Sequence, residues 1–123
     1  MAIRESILHY AAEVYGTEPE YLWQRTPDAA VLRHKSNRKW YGLILRISKN
    51  KLGLDSQELV DILNIKCDTQ QIGSLQMKRG FFPAYHMNKS HWITILLDGT
   101  VPVEEICVLL DWSFELTAEK QKP

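Results

Sequence analysis

The chain has 123 residues, 45% of them apolar and 24% charged, and its formal net charge is zero. That balance suits one globular domain with a core of its own and excludes a collagen-like, disordered or disulfide-stapled chain. The opening MAIRESILHYAAEVYG is interrupted by Arg4, Glu5 and Glu13, and no run approaches the ~20 apolar residues of a membrane span, so a cytoplasmic location is expected.

Ile3, Ile7, Leu8, Ala11, Val14 and Tyr15 recur at helical spacing until Gly16, which predicts a first helix. The Pro-punctuated connection GTEPEYLWQRTPDA follows, with Tyr21, Leu22 and Trp23 expected to fold back on the core. Residues 30–34 and 40–48 read as two strands joined by HKSNRK. Along the second, Tyr41, Leu43, Leu45 and Ile47 alternate with Trp40, Gly42, Ile44 and Arg46, and the first set is assigned to the core. After the loop SKNKLGLDSQE, VDILNIKC (60–67) is a third strand. Asp68 caps a second helix that buries Ile72 and Leu75, carries Lys78 and Arg79 in its last turn, and ends at Gly80. FFPAYHM and HWITILLD are strands four and five. Asp98-Gly99 then turns into a last helix with Pro102 at its first position and a core stripe of Ile106, Leu109, Leu110, Ser113 and Phe114.

The predicted class is therefore α+β in the order α-β-β-β-α-β-β-α. About five antiparallel strands carry the helices on one face and leave the other open. Residues 1–123 are read as a single domain with an ordered core of about 2–118.

Zero net charge hides strong segregation. Ala29–Leu54 holds seven Lys/Arg and no acid, Lys78–His91 holds three and no acid, and Trp92–Glu119 holds six acids and no Lys or Arg. The cationic stretches coincide with an internal echo: RHKSNRKW (33–40) and YHMNKSHW (85–92) share their length, with His second and Trp eighth. Centring the first hairpin on Ser36-Asn37 sets Leu32 against Tyr41, Ala30 against Leu43 and Arg33 against Trp40. Centring the second on Asn88-Lys89 sets Phe82 against Ile95, Ala84 against Ile93 and Tyr85 against Trp92. Trp40, Ile44, Trp92 and Thr94 then form an apolar stripe on the open face, the mark of a binding surface, unless the 17–28 or 49–59 connection covers it as a second small core.

The stretches RHKSNRKW, VDILNIKCD and GFFPAYHMNKSHWITILLDGTVPVEEI resemble the MmcQ/YjbR family of small bacterial proteins, and the resemblance covers nearly the whole chain. It implies a fold similar to the CyaY/frataxin type, with helices on one side of an antiparallel sheet. It also implies DNA binding through two β-hairpin wings, a "double wing", which here fall on residues 33–40 and 85–92.

On that reading Arg33, Lys35, Arg38, Lys39 and Lys89 contact phosphates, Trp40, Tyr85 and Trp92 stack or support the hairpins, and Asn37 and Asn88 set the turns or touch bases. His86 and His91 complete the expected nucleic-acid surface at the second tip. The alternative is a protein-interaction module or homodimer through the open face bearing Trp40 and Trp92. A metal held by His34, His86 and His91 is the weaker choice, because the nearest acids in sequence are Asp68 and Asp98 and no HExxH or CxxC pattern is present. Iron delivery is not expected either, since the first helix offers only Glu5 and Glu13. Cys67 and Cys107, forty residues apart, read as reduced thiols. With no nucleophile–base pair, phosphate loop or paired carboxylates, the sequence is read as that of a non-enzyme without a cofactor.

Overall fold

The first helix, α1 (Ile3–Tyr15), ends where Gly16 takes a left-handed backbone (φ 67°) and returns its N–H to the carbonyls of Ala11 and Ala12. The computed structural model describes residues 2–118. Within it follow β1 (Ala30–Arg33), β2 (Trp40–Ser48), a 3-10 turn (Lys49–Leu52), β3 (Leu59–Lys66), α2 (Thr69–Gln76), β4 (Phe81–Pro83), β5 (Trp92–Leu96) and α3 (Val103–Thr117). The order α-β-β-β-α-β-β-α is the expected one. The sheet is antiparallel throughout, with strand order β1-β2-β3-β5-β4.

All three helices pack on one face. Ile7 and Ala11 of α1, Ile72 of α2, and Ile106, Leu109 and Leu110 of α3 bury one cluster with Ala30, Leu32, Ile44, Leu63, Ile65, Phe81, Ile93 and Ile95. The hydroxyls of Tyr10 (2.8 Å) and Tyr15 both donate to the Asp111 carboxylate and clasp α1 to α3. α2 is shorter than its pattern suggests. It ends at Gln76, and Lys78 lies beyond it, paired with Glu105 at 2.7 Å. Pro102 is the residue before α3 rather than its first helical position.

The register of the first hairpin corrects the expected one. Ala30 pairs with Ile44, Val31 with Leu43, Leu32 with Gly42 and Arg33 with Trp40, with an irregularity between Leu32 and Arg33. Two residues of β2 are consumed where one of β1 is, so Tyr41 is the extra residue of a β-bulge. The bulge turns Tyr41 into the helix layer, where its ring packs edge-on against Tyr15 and Phe114 and its hydroxyl donates to Thr17 (2.6 Å). Below the bulge the alternation is inverted relative to expectation: Ile44 faces the helices, while Leu45 and Ile47 face away. Ser113 of α3 stabilises the irregularity by donating to the Tyr41 carbonyl (2.6 Å) and accepting from the Lys66 amide (2.9 Å).

The second hairpin is slipped by one residue from its expected pairing. Phe81, not Phe82, opposes Ile95, and Pro83, not Ala84, opposes Ile93. Ile93 and Ile95 face the helices as expected.

Candidate nucleic-acid interface

In this strand order the turn from β1 to β2 (residues 34–39) and the turn from β4 to β5 (84–91) emerge from the same end of the sheet. Only β3 lies between β2 and β5, so the two turns start roughly 10 Å apart. The backbone direction thus brings the two echo sequences together. They are not, however, alike in shape.

The first turn is anchored to the end of α3. His34 is buried with Nε2 2.8 Å from the Thr117 hydroxyl, and Asn37 donates from Nδ2 to the Thr117 carbonyl at 2.8 Å. Asn37 Oδ1 also accepts from the Lys39 amide (2.9 Å), so both ends of this side chain serve the turn. Burial holds the His34 imidazole below its ordinary pKa, and nearby Lys39 adds to the effect. Arg38 sits at φ 63°, a conformation that a side chain with a Cβ rarely adopts. Lys35, Arg38 and Lys39 are exposed and form no ion pair among the described residues, although Arg38 is near enough to Glu20 to help lower its pKa. Arg33 differs. Its guanidinium meets both carboxylate oxygens of Glu20, at 2.5 and 2.6 Å, and this hydrogen bonding holds Glu20 below the usual carboxylate range.

The second turn lies back over the sheet. Its Tyr85 amide donates to Thr94 Oγ1 (2.9 Å), Thr94 Oγ1 donates to Asn64 Oδ1, and Asn64 Nδ2 donates to the Tyr85 carbonyl (3.1 Å). Asn64 and Thr94 are fully buried, so this closed ring of bonds sits in a desolvated place. Tyr85 packs on a second apolar cluster of Val60, Ile62, Leu96, Leu45, Ile47, Leu52 and Phe82. Trp92, expected on an open face opposite Tyr85, is buried and paired with Lys66 of β3. Asn88 Oδ1 accepts from the Ser90 amide (2.8 Å), and its carbonyl accepts from Trp92 (2.9 Å), which makes it the residue that sets this turn. His86 (φ 59°) is exposed and packs edge-on against Tyr85, with ring centroids 4.0 Å apart. His91 is tied to Thr69, its Nδ1 3.2 Å from the hydroxyl. The three histidines therefore have three separate partners, and no cluster of three or more metal-type side chains occurs among the described residues.

The face away from the helices is thus neither bare nor fully covered. Glu20 bridges to Val31 along the outer edge of β1, and the chain then crosses so that Trp23 meets Trp40 edge-on at 5.9 Å. Between this crossing and the Tyr85–His86 turn runs a groove of about 640 Å³. Leu43, Leu45 and Ile47 lie along β2 as its floor, with Trp23 and Trp40 on one side and Tyr85, His86 and Met87 on the other. Arg25 lines it as well, and the acid on its rim, Asp28, lies beside Arg46. The sequence reading missed this floor because it placed Leu43, Leu45 and Ile47 in the core. The available signal was Gly42: a glycine inside a strand often marks a bulge, and a Cβ there would sit 3.1 Å from Leu32 Cδ1.

Fold and site together define a three-helix, five-strand α+β protein with two polar turns at one sheet end and an aromatic groove behind its helices. The sequence matches the YjbR family over residues 12–116, and the chain belongs to that family. It is 47% identical to the uncharacterized protein YyaQ of Bacillus subtilis over 117 residues, 95% of this chain and 99% of that one. A 45-residue stretch is 42% identical to the uncharacterized protein YjbR of Escherichia coli K12, covering 32% of this chain and 38% of that one. Among solved structures, a Pseudomonas syringae protein determined by crystallography superposes with TM-score 0.91 at 43% identity, over 94% of this chain and 98% of that chain. Deinococcus radiodurans protein DR2400 superposes with TM-score 0.73 at 25% identity, over 98% and 81% of the two chains.

Proposed function

We propose that this protein is a non-catalytic DNA-binding protein that grips the phosphate backbone with the two turns at one end of its sheet. The observation that carries the reading is positional: turns 34–39 and 84–91 leave the same sheet end, and Lys35, Arg38, Lys39 and Lys89 on them form no ion pair among the described residues. Two short cationic segments held roughly 10 Å apart, with one strand between them, suit contact with separate phosphates of one backbone. Trp40, Tyr85 and His86 line the groove that adjoins the turns, while Asn37, Asn88 and His91 brace the turns by hydrogen bonds and Trp92 is buried. Arg33 joins the contact set only by exchanging Glu20 for a phosphate.

Absence of catalysis is part of the proposal. Burial, reinforced by neighbouring carboxylates, pushes both the Cys67 and Cys107 thiols up, away from the thiolate form a nucleophile needs. The Ser113 hydroxyl is engaged in the bulge, where it donates to the Tyr41 carbonyl.

The test is fluorescence anisotropy of a labelled mixed-sequence DNA at two salt concentrations. Four or five phosphate contacts predict a log–log slope of roughly −4. Arg38→Ala with Lys39→Ala should weaken binding to every sequence alike and flatten the slope by about 2. An unchanged slope in that double variant removes the first turn from the interface.

A protein-interaction role has its own supporting observation, on a different surface from the one expected. Val108, Trp112 and Leu116 recur every four residues along α3 and are each nearly half exposed. Glu104 and Glu115 lie on the same helix, so the partner implied is basic. Trp112→Ala abolishing capture of a basic peptide, with DNA binding intact, would favour it.

A further inference from the structure

We infer that the groove behind the sheet takes unstacked bases, and that the preferred ligand is DNA with a single-stranded segment rather than uninterrupted duplex. This deepens the DNA-binding reading and rests on it. The groove begins at Trp40, the residue after Lys39 of the first turn, and follows β2 to Ile47, roughly 20 Å of strand. A backbone gripped by Lys35, Arg38 and Lys39 therefore meets the groove mouth without a gap.

Aromatic rings stand on both sides of the floor. Trp23 and Trp40 meet edge-on at 5.9 Å, which leaves ring faces available, and Trp23 is 40% exposed. Opposite them Tyr85 and His86 form a ridge, and its far side opens on a second hollow lined by Lys51, Lys89, Phe82 and Leu52. An apolar floor with ring-bearing sides suits bases, whose faces are apolar and whose edges are polar. The cations that form no ion pair among the described residues sit at the rim: Arg25 lines the groove with the Trp pair, and Lys51 and Lys89 lie beyond the ridge. Arg46, which also lines the groove, is neutralised by Asp61 and by the lining acid Asp28. That division, rings inside and cations outside, is charge-complementary to a strand whose bases point in and whose phosphates stay in water. A stacked duplex offers no base face to such a groove, and Leu43, Leu45 and Ile47 present no hydrogen-bonding side chain to read a base edge, so the preference is for strandedness and not for sequence.

The experiment compares three labelled probes of equal length at one salt concentration: single-stranded oligo-dT, the same strand made abasic, and a duplex. Binding of the full chain is followed by anisotropy and by quenching of tryptophan emission. The expected result is that oligo-dT binds at least tenfold tighter than both other probes and quenches emission. Trp23→Ala should remove about tenfold of the oligo-dT affinity and leave the abasic affinity unchanged, with an unaltered thermal melt showing the variant folded. Equal binding of the oligo-dT and abasic strands overturns the inference while the phosphate-gripping reading stands. Duplex binding tighter than single-strand binding does the same. No binding by any probe overturns both.

Discussion

Arg38 is where strain and charge coincide. Its backbone occupies the left-handed region (φ 63°) while its amide donates to the His34 carbonyl at 3.1 Å. A glycine would adopt that conformation without the steric cost, about 1 kcal/mol. Arg38→Gly is therefore expected to leave stability unchanged or raised in a denaturant titration, and to lower DNA affinity in anisotropy. A residue kept for folding would show the reverse. His34, beneath the same turn, gives a second expectation. Burial lowers its folded pKa below the ordinary value of about 6.5, so the neutral ring is the form the fold favours. Its stabilisation is present above the unfolded pKa and is lost as pH falls through the lower folded pKa. Thermal melts taken between pH 7.5 and pH 5 should fall in Tm, and His34→Gln, which keeps a polar group near the Thr117 hydroxyl, should flatten that fall. A parallel decline in both proteins would assign the pH dependence elsewhere.

Among the elements, the second turn depends on the ring of bonds joining Tyr85, Thr94 and Asn64. Thr94→Val keeps the shape but strands the Tyr85 amide and Asn64 Oδ1 without their partner in a buried place, a cost of about 2–3 kcal/mol. The expected outcome is a lower unfolding midpoint together with faster hydrogen exchange at the Tyr85 amide; a midpoint loss with unchanged Tyr85 exchange would mean that the turn is held by other contacts. This ring also shows what was legible in the sequence. Element order and helix placement could be read because each helix has one apolar stripe, and Ile93 and Ile95 point correctly because β5 is regular. Tyr41 and Trp40 take the expected faces, but everything below them on β2 is inverted, because the extra residue leaves the alternation of apolar residues unbroken and only Gly42 marks the bulge. The second turn was read as a projecting hairpin because its length and its Asn88-Lys89 centre fit one. Nothing local in YHMNKSHW records that Asn64, more than twenty residues earlier, reaches up to hold it down. Local chemistry was visible, and the long-range polar ties were not.

For the whole molecule, the question is whether segregated charge acts at a distance or only where it touches the ligand. The acids of α3 lie on the helix side of the sheet, while the groove lies on the other. α3 ends at Thr117 beside the first turn, so Glu104 and Glu105 at its start are roughly 20 Å from that turn along the helix axis. At physiological salt the Debye length is about 8 Å, so their field at the turn is largely screened; at 0.01 M salt it is about 30 Å and they are felt. Glu104→Gln with Glu105→Gln removes two carboxylates from a chain of net charge zero and makes the whole protein cationic. If contact governs binding, that variant should match the parent in affinity and salt slope at 0.15 M salt, and gain only a faster association rate at low salt. Arg38→Ala with Lys39→Ala changes net charge by the same amount in the opposite sense, yet should lose about two units of slope at either end of the range. Measuring both pairs side by side separates the two explanations. Equal and opposite shifts in affinity at 0.15 M would show that net charge, and not the placement of two turns at one sheet end, controls the encounter.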